Sequence, residues 1–333
     1  MAVQVSLTTP SIVLCSHRTE RLVPWLREWS HPLDGDPSGD GHARSGKILA
    51  MLIERVGVVG CGLMGSGIAE VTARAGIAVT VTESSAAAAE AGMDRVASSL
   101  KRAVTSGRLS EEEHDATWQR LSFGHELDAV ADCDLVVEAV AEHEPTKLDV
   151  FGRLDSVCKP AAVLASNTSS IPIMKLARAT KREAQVIGIH FFNPVPVLPL
   201  VELVTSLLTA PQTATDMEDF VTERLGKTVI RSRDRAGFIV NALLIPYILA
   251  AIRMLESGFA TADDIDTGMV KGCAHPMGPL RLADLIGLDT VQAVAESLYD
   301  EFKEQLYAPP SLLLRMVEAG LLGRKAKRGF YEY

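Results

Sequence analysis

One segment of the chain reads Val56-Gly57-Val58-Val59-Gly60-Cys61-Gly62-Leu63-Met64-Gly65, an apolar run that leads into the spacing G-x-G-x-x-G. A strand, this turn and a following helix are typical of dinucleotide-binding folds. Gly60 permits the tight turn, Gly62 lets the backbone approach a pyrophosphate, and Gly65 allows close packing of helix on strand. The N–H groups at the start of the helix would then face the pyrophosphate. The segment therefore predicts a dinucleotide site.

The preference between the two nicotinamide dinucleotides rests on Glu83. This acid ends a second apolar strand, Ile77-Ala78-Val79-Thr80-Val81-Thr82, and lies 18 residues past Gly65. A carboxylate at that distance can accept hydrogen bonds from the ribose 2′-hydroxyl, whereas it would repel a 2′-phosphate. No arginine stands at the two positions after Glu83 to receive a phosphate. The sequence therefore predicts NAD rather than NADP.

Composition places the chain among ordinary globular proteins. It has 333 residues, of which 47% are hydrophobic and 23% charged, so two domains with sizeable cores are expected. The net charge of −9 argues against a nucleic-acid or anionic-membrane binder, and an anionic substrate would need a local basic patch. The five cysteines form no C-x-x-C pair, which predicts neither a metal site nor a disulfide framework. With no secretory signal and no membrane-spanning run, the cytoplasm is the expected location.

Strand-like and helix-like segments alternate from residue 55, which predicts an α/β fold with a Rossmann-type, doubly wound, mainly parallel sheet. Strands are predicted at 55–59, 77–82, 120–124, 134–138, 161–165, 185–189, 198–204 and 228–230, and helices at 63–75, 86–106, 145–158 and 171–179. Beyond residue 235 only long helical patterns follow, at 237–256, 261–270, 280–299 and 311–319. We therefore predict an NAD-binding domain over 51–235 and a smaller all-helical domain over 236–333, for substrate contacts and dimerisation.

The first 50 residues differ in character from the rest. The stretch 32–47 is rich in Gly, Asp, Ser, Pro and His and has almost nothing to bury, as in a disordered linker. We predict that 1–50 is a disordered or unrelated N-terminal extension without a catalytic role. A targeting peptide is the alternative, because three arginines precede an acidic stretch.

Polar residues follow three of the predicted strands, where open α/β sheets bind ligands. Glu142 lies past one strand, Asn167 and Ser169 follow the next, and His190 ends a third. His190 is the candidate base, because a neutral imidazole can take a proton from an alcohol near neutral pH. Glu202 is costly to bury within its apolar strand unless it is paired, which makes it the candidate partner. The alternative is a hydrogen-bonded core histidine and an edge-strand glutamate.

Asn241 stands in an otherwise apolar helical run, Gly237-Phe238-Ile239-Val240-Asn241-Ala242-Leu243-Leu244. A buried amide needs hydrogen-bond partners, and a substrate carbonyl or hydroxyl would supply them. A hydrogen bond between helices is the alternative.

From about residue 53 to 333 the chain resembles the L-3-hydroxyacyl-CoA dehydrogenases, and within them the short bacterial 3-hydroxybutyryl-CoA type. The segments that carry the resemblance keep their order and spacing: Gly60–Ala69, Val136–Glu142, Ala165–Ser170, His190–Pro194, Pro276–Leu280 and Asp284–Asp289. The resemblance implies NAD-dependent oxidation of an (S)-3-hydroxyacyl-CoA, expected to be 3-hydroxybutyryl-CoA, to the 3-oxoacyl-CoA. It also implies the reverse reduction of acetoacetyl-CoA, in fatty-acid or butanoate metabolism.

The resemblance also implies roles for individual residues. His190 and Glu202 would transfer the proton, and Ser169 and Asn241 would contact the substrate. The implied NAD contacts are Gly60, Gly62, Leu63, Met64, Gly65, Glu83, Glu142, Lys147 and Asn167. The helical arm after the second strand would hold part of coenzyme A, and here this arm carries Ser99, Lys101, Arg102 and Arg108. The implied partners are an acyl-CoA thioester and a second copy of the chain in a homodimer, with no metal, nucleic acid or membrane.

Two other functions stay open at this level. A relative acting on a sugar acid such as L-gulonate would use the same fold and a similar histidine, but it would not need the basic residues of the helical arm. A non-catalytic NAD-binding protein, structural or redox-sensing, would be expected to have a damaged catalytic set. Ser169, His190, Glu202 and Asn241 are all present.

Overall fold

The computed structural model describes residues 52–333, and the predicted extension over 1–50 lies outside the described residues. Eight strands of the described part form one sheet: β1 (Arg55–Val59), β2 (Ala78–Thr82), β3 (Leu121–Gly124), β4 (Leu135–Glu138), β5 (Val163–Ser166), β6 (Val186–Phe191), β7 (Leu200–Thr205) and β8 (Thr228–Arg233). Their order is β3-β2-β1-β4-β5-β6-β7-β8. Strands β1 to β6 are parallel, β7 is antiparallel to β6, and β8 is parallel to β7. The predicted Rossmann-type, mainly parallel sheet is confirmed, and every predicted strand range overlaps an observed strand.

Helices cover the sheet, so its middle strands are buried along their whole length. These helices are α1 (Leu63–Arg74), α2 (Ala86–Thr105), α3 (Glu111–Trp118), α4 (Glu144–Val157), α5 (Ile173–Arg178) and α6 (Pro211–Asp219). The sequence patterns did not predict α3 and α6. A local signal for α3 was present, because Ser110 and Glu113 form a capping box in which each side chain accepts from the other residue's backbone N–H.

Helices also make up the C-terminal part: α7 (Val240–Glu256), α8 (Ala262–Thr267), α9 (Pro279–Ile286), α10 (Leu288–Phe302) and α11 (Ser311–Glu318). They bury their own apolar cluster, which is separate from the two clusters that flank the sheet. The predicted helical C-terminal domain is confirmed. Two isolated bridges, Gly323 to Arg328 and Arg328 to Glu332, are the exception to its helical character.

One predicted helix, 280–299, is wrong as a single element. The structure divides this range into α9 and α10 at Gly287, which has a φ of 104°. Only glycine adopts such a conformation readily, so the chain turns sharply there. The apolar pattern runs through both helices and gave no sign of the break.

The strand order reverses between the parallel neighbours β1 and β4: β1 to β3 are added toward one edge of the sheet, and β4 to β8 toward the other. Ligands of open α/β sheets bind outside the carboxyl ends of the strands at such a switch point. The glycine loop follows β1 and Glu142 follows β4, on either side of it. No helix among residues 52–333 is long and apolar enough to span a membrane.

Candidate active site

The glycine loop after β1 has the geometry that a dinucleotide requires. Gly60 has a φ of 90°, which its turn needs, and a Cβ on Gly65 would lie 1.8 Å from the Gly60 carbonyl oxygen. A Cβ on Gly62 would meet no atom within 4 Å, because this residue faces a cavity of about 770 Å³. Leu63 and Met64 line the same cavity. The loop thus leaves open space where a pyrophosphate would approach the backbone, so these residues fit NAD.

Glu83 faces the same cavity from the end of β2. Its carboxylate accepts hydrogen bonds from the backbone N–H of Cys61, at 2.5 Å, and of Ser84, at 3.1 Å. The acid is therefore fixed beside the glycine loop. Burial and the Glu83 charge raise the pKa of the Cys61 thiol to about 12, although Arg95 opposes the shift, so this thiol stays protonated at neutral pH.

A second cavity, of about 680 Å³, lies between the carboxyl edge of the sheet and helices α7, α9 and α10. The two cavities are adjacent, because both are lined by Leu63, Met64 and two residues after β4. Besides Leu63 and Met64, the second cavity is lined by six of the predicted site residues: Glu142, Lys147, Asn167, Ser169, His190 and Asn241. The rest of its wall is largely apolar and includes Leu244, Ile245, Leu282 and Ile286. We call it the active-site cavity.

His190 lines this cavity and forms a buried pair with Glu202, which does not line it. The antiparallel register of β6 and β7 places the two residues directly opposite each other. His190 Nδ1 lies 2.7 Å from Glu202 Oε2, and because a carboxylate can only accept, Nδ1 carries the hydrogen. Within residues 52–333 the other ring nitrogen, Nε2, has no hydrogen-bond partner. Strand β8 lies outside β7, so the alternative of an edge-strand glutamate is excluded.

Asn167 is tied to the strand that carries the histidine. Its Oδ1 accepts a hydrogen bond from the backbone N–H of Phe191, at 2.9 Å. The rings of Phe192 and Phe238 lie 4.7 Å and 5.5 Å from the imidazole, measured between centroids. The imidazole therefore has an aromatic neighbour from the loop after β6 and another from the segment before α7.

A network of buried charges supports the loop after β5. Glu138, at the end of β4, accepts hydrogen bonds from Lys147 Nζ at 2.6 Å, Ser166 Oγ at 2.6 Å and the backbone N–H of Val140 at 2.7 Å. Lys147 is only 1% exposed, and its Nζ also lies 3.3 Å from Glu142. Sequence analysis missed Glu138, although the argument applied to Glu202, an acid in an apolar strand, would have found it.

Glu142 connects this network to Ser169. Its Oε1 accepts hydrogen bonds from Thr168 Oγ1 at 2.6 Å, Ser170 Oγ at 2.8 Å and the backbone N–H of Ser169 at 3.0 Å. Partial burial raises the pKa of Glu142, but the Lys147 ammonium and these hydrogen bonds outweigh it and hold the pKa below its ordinary value. The carboxylate therefore stays ionised and fixes the loop that presents Ser169 to the cavity.

A groove between α1, α2 and the loop Asn193–Pro196 adjoins the active-site cavity, since Leu63, Asn193 and Pro194 line both. We call it the α1–α2 groove; its volume is about 330 Å³. Its polar lining comes mainly from α1 and α2: Ser66, Glu70, Asp94, Arg95, Ser98, Ser99 and Arg102. Of the four residues predicted for coenzyme A, Ser99 and Arg102 line the groove, whereas Lys101 and Arg108 are exposed and line neither the groove nor the active-site cavity.

A cavity at a glycine loop, next to a buried His–Glu pair, defines an NAD-dependent dehydrogenase. Residues 55–235 match the 3-hydroxyacyl-CoA dehydrogenase NAD binding domain, and residues 237–333 match the C-terminal domain of the same family. The chain belongs to the 3-hydroxyacyl-CoA dehydrogenase family. The family, the fold and the cofactor that the sequence predicted are confirmed, whereas the roles of the individual site residues stay predictions.

Individual relatives agree with this assignment. A 3-hydroxybutyryl-CoA dehydrogenase of Mycobacterium tuberculosis is 58% identical over 282 residues, which cover 84% of this chain and 99% of the relative. Another, from Bradyrhizobium diazoefficiens, is 45% identical over 285 residues, with 86% and 97% covered. The crystal structure of (S)-3-hydroxybutyryl-CoA dehydrogenase PaaH1 from Ralstonia eutropha matches with a TM-score of 0.80 at 43% identity, and 85% and 99% of the two chains are covered.

Proposed function

We propose that this protein oxidises a short-chain (S)-3-hydroxyacyl-CoA, 3-hydroxybutyryl-CoA, to the 3-oxoacyl-CoA with NAD, and catalyses the reverse reduction of acetoacetyl-CoA. One observation carries the proposal: the His190–Glu202 pair opens onto a cavity that Ser169 and Asn241 also line and that adjoins the glycine loop. The substrate class comes from the names of the relatives, and the mainly apolar wall of the cavity suits an acyl chain.

His190 would act as the general base for the proton of the substrate's 3-hydroxyl group. Its Nε2 would accept the proton of the 3-hydroxyl group as the C–H bond at the same carbon breaks, and bound NAD⁺ supplies the hydride acceptor. Glu202 would stabilise the imidazolium that forms, and it already fixes the tautomer by accepting from Nδ1. General acid–base catalysis of this kind contributes on the order of 10²–10⁴ in rate.

The remaining predicted residues would bind and orient. Ser169 and Asn241 would contact the 3-oxygen and the thioester end of the substrate. The NAD contacts would come from the glycine loop, with Gly60, Gly62, Leu63, Met64 and Gly65, and from Glu83, Glu142, Lys147 and Asn167. In this structure Lys147 already lies between two carboxylates, so its contribution to NAD would run partly through Glu142.

The α1–α2 groove suits the anionic part of coenzyme A. Arg95 and Arg102 line it beside Ser99, and it adjoins the active-site cavity. Asp94 and Glu70 line it too, so the two arginines would act as individual phosphate-binding groups in a chain whose net charge is −9. A sugar acid would fit inside the active-site cavity and would make no use of these arginines, which favours the thioester over L-gulonate.

We propose a homodimer that forms through the C-terminal helices. Leu243 on α7 is 73% exposed, and Ile239 and Met254 are also exposed. Apolar side chains of this size on one domain are typical of a surface that a partner covers. Light scattering at micromolar concentration should give the dimer mass, and a monomer mass would contradict the proposal.

The division of roles and the location belong to the same proposal. Residues 51–235 would bind NAD, residues 236–333 would complete the substrate site and the dimer, and the protein would work in the cytoplasm. Residues 1–50 would be dispensable, so a chain that begins at Met51 should keep its activity. Loss of activity in that shortened chain would show that the extension has a function.

Two substrates test the proposed reaction. NADH oxidation with acetoacetyl-CoA and NAD⁺ reduction with L-gulonate are measured on the purified full chain, with His190→Ala as the inactive control. We expect turnover with acetoacetyl-CoA alone. Turnover with L-gulonate alone would assign the protein to sugar acids. NADH binding without turnover of either substrate would indicate a non-catalytic NAD-binding protein.

A further inference from the structure

The two oxygens of Glu202 have different partners. Oε2 accepts from His190 Nδ1 at 2.7 Å, while Oε1 accepts from the backbone N–H groups of Ile239 at 3.0 Å and Val240 at 2.9 Å. The carboxylate has 0% exposure, so water does not compete for either oxygen. One buried anion therefore holds three donors, one from the sheet and two from the start of α7.

The segment before α7 has an unusual backbone that brings these groups together. Gly237 has a φ of 72° and Phe238 a φ of 48°, and a bulky residue rarely adopts this left-handed conformation. The Phe238 ring packs with its edge against the imidazole of His190 at 5.5 Å. The strained turn thus directs an aromatic ring and two backbone N–H groups at the same histidine–glutamate pair.

Other contacts anchor the chain before this turn but not after it. Asp234 accepts from the backbone N–H groups at the start of α5, and Glu301 accepts from the backbone N–H of Ala236 at 2.8 Å. In the described part of the chain, Glu202 is the only side chain that hydrogen-bonds to the backbone of Ile239 or Val240. Among the side-chain hydrogen bonds of the described residues, those of this carboxylate alone tie the first turn of α7 to the sheet.

Asn241 is the next residue along α7. The first backbone N–H groups of a helix have no partner inside the helix and attract an anion. Glu202, on strand β7, accepts hydrogen bonds from two such groups at the start of α7. We propose that Glu202 is a positioning residue for Asn241 as well as the partner of His190, so that one carboxylate sets the substrate amide and the base relative to each other. This inference rests on the proposed function only for its kinetic consequence.

Glu202→Gln disturbs this arrangement because a glutamine has one acceptor oxygen for two sets of donors. If that oxygen faces α7, the amide NH₂ faces His190 Nδ1 and favours the wrong tautomer. If it faces His190, the NH₂ group opposes the N–H groups of Ile239 and Val240. Asn241 can be misplaced in the second case only, so activity alone does not separate the two roles.

Hydrogen exchange separates them without any need for activity. Exchange of the backbone amides of Ile239 and Val240 is measured in the parent, Glu202→Ala and His190→Ala, with NADH binding as the check on folding. Glu202→Ala removes both acceptor oxygens, whereas the oxygen of a glutamine could still accept from α7. We expect exchange at least about tenfold faster in Glu202→Ala and unchanged in His190→Ala, because the histidine occupies the other oxygen. Unchanged exchange in Glu202→Ala would overturn the proposal.

A double-mutant cycle tests the kinetic consequence. The kcat for acetoacetyl-CoA reduction is measured for Glu202→Ala, Asn241→Ala and the double variant, and the same is done with His190→Ala in place of Glu202→Ala. Independent residues give losses that multiply within about twofold. We expect the kcat loss of the Glu202–Asn241 double variant to be smaller than the product of the losses of its two single variants. This shortfall should be about tenfold larger than the corresponding shortfall of the His190–Asn241 double variant. Equal shortfalls would overturn the proposal.

Two safeguards keep the outcome unambiguous. If Glu202→Ala does not fold, Glu202→Leu replaces it, because leucine fills a similar volume without any acceptor oxygen and should raise the exchange of the same two amides. If the parent protein turns over no acyl-CoA substrate, the proposed function fails while the exchange result still decides the role of Glu202.

Discussion

The active-site cavity and the α1–α2 groove hold their charges in opposite ways. At the cavity, Glu202 and Lys147 are buried and make several short hydrogen bonds to fixed partners. In the groove, Arg95 and Arg102 are exposed, and within residues 52–333 the Arg95 guanidinium donates only to the Cys61 carbonyl oxygen, at 3.2 Å. Proton transfer needs groups held in one geometry, whereas binding a polyanion needs cations near its path. The comparison therefore predicts losses of kcat in the cavity and losses of affinity in the groove.

The largest effect is expected from His190→Ala in the cavity. Removal of the base should lower kcat for acetoacetyl-CoA reduction on the order of 10²–10⁴, with NADH affinity nearly unchanged. His114→Ala is the matched control, since His114 pairs with Asp115 on α3, away from the active-site cavity. If His190→Ala keeps more than about a tenth of the parental kcat, another group transfers the proton.

Glu83 belongs to neither region but combines features of both, because its carboxylate is fixed by Cys61 and yet faces an open cavity. Glu83→Ala should reduce the preference for NADH over NADPH about tenfold or more, since a like charge near the 2′-phosphate is removed. The measurement is the ratio of kcat/KM for the two cofactors. Glu90→Ala, an exposed acid on α2, should leave that ratio unchanged. Equal kcat/KM for NADH and NADPH in the parent would contradict the assignment of Glu83.

Arg102 and Lys101 are adjacent cations on α2, of which Arg102 lines the groove and Lys101 does not. Arg102→Ala should raise the KM for acetoacetyl-CoA about three- to tenfold with kcat nearly unchanged, because it removes binding that substrate and transition state share. The effect should shrink at high salt and vanish with a thioester that lacks the nucleotide. Lys101→Ala should have little effect. A larger effect for Lys101 would support its predicted substrate contact and exclude the groove as the nucleotide path.

Much of the fold could be predicted because its signals are local. Apolar β-branched runs give the strands, and the glycine spacing gives the turn after β1. The His190–Glu202 pair could also be predicted, since a carboxylate inside an apolar strand requires a partner. The break at Gly287 could not, because an apolar helical pattern continues on both sides of it.

The rest of the site depends on contacts between distant segments. The second oxygen of Glu202 binds backbone N–H groups more than 30 residues away, and no side-chain pattern marks a backbone donor. Glu138 carries a clear signal, an acid at the end of an apolar strand, but its partners Lys147 and Ser166 come from two other segments. Likewise, Lys101 and Arg102 are neighbours in sequence, and only the rotation of α2 decides which one faces the groove.

The smallest effect is expected from Glu70, a carboxylate on α1 that lines the α1–α2 groove and yet is 1% exposed. Among residues 52–333 no group donates a hydrogen bond to either of its oxygens, and Arg74 lies 3.5 Å away. Burial raises the pKa of Glu70, an effect that interactions with Ser99, Arg74 and Arg102 only partly oppose. Glu70 is therefore buried, like the charged residues of the active-site cavity, whereas Arg95 and Arg102 in the same groove are exposed.

A raised pKa in the folded state means that the native protein binds this proton more tightly than the unfolded chain. The contribution of Glu70 to stability is therefore present below the unfolded pKa and is lost as the pH rises through the folded pKa. Glu70→Gln mimics the neutral form, so it should raise Tm at pH 7 by about 2 °C or more and change it less at pH 4.5. Glu90→Gln, on the exposed face of α2, should change Tm at neither pH. A Tm for Glu70→Gln that falls at pH 7 would mean that the ion pair with Arg74 outweighs burial, and that the groove, too, fixes its charges.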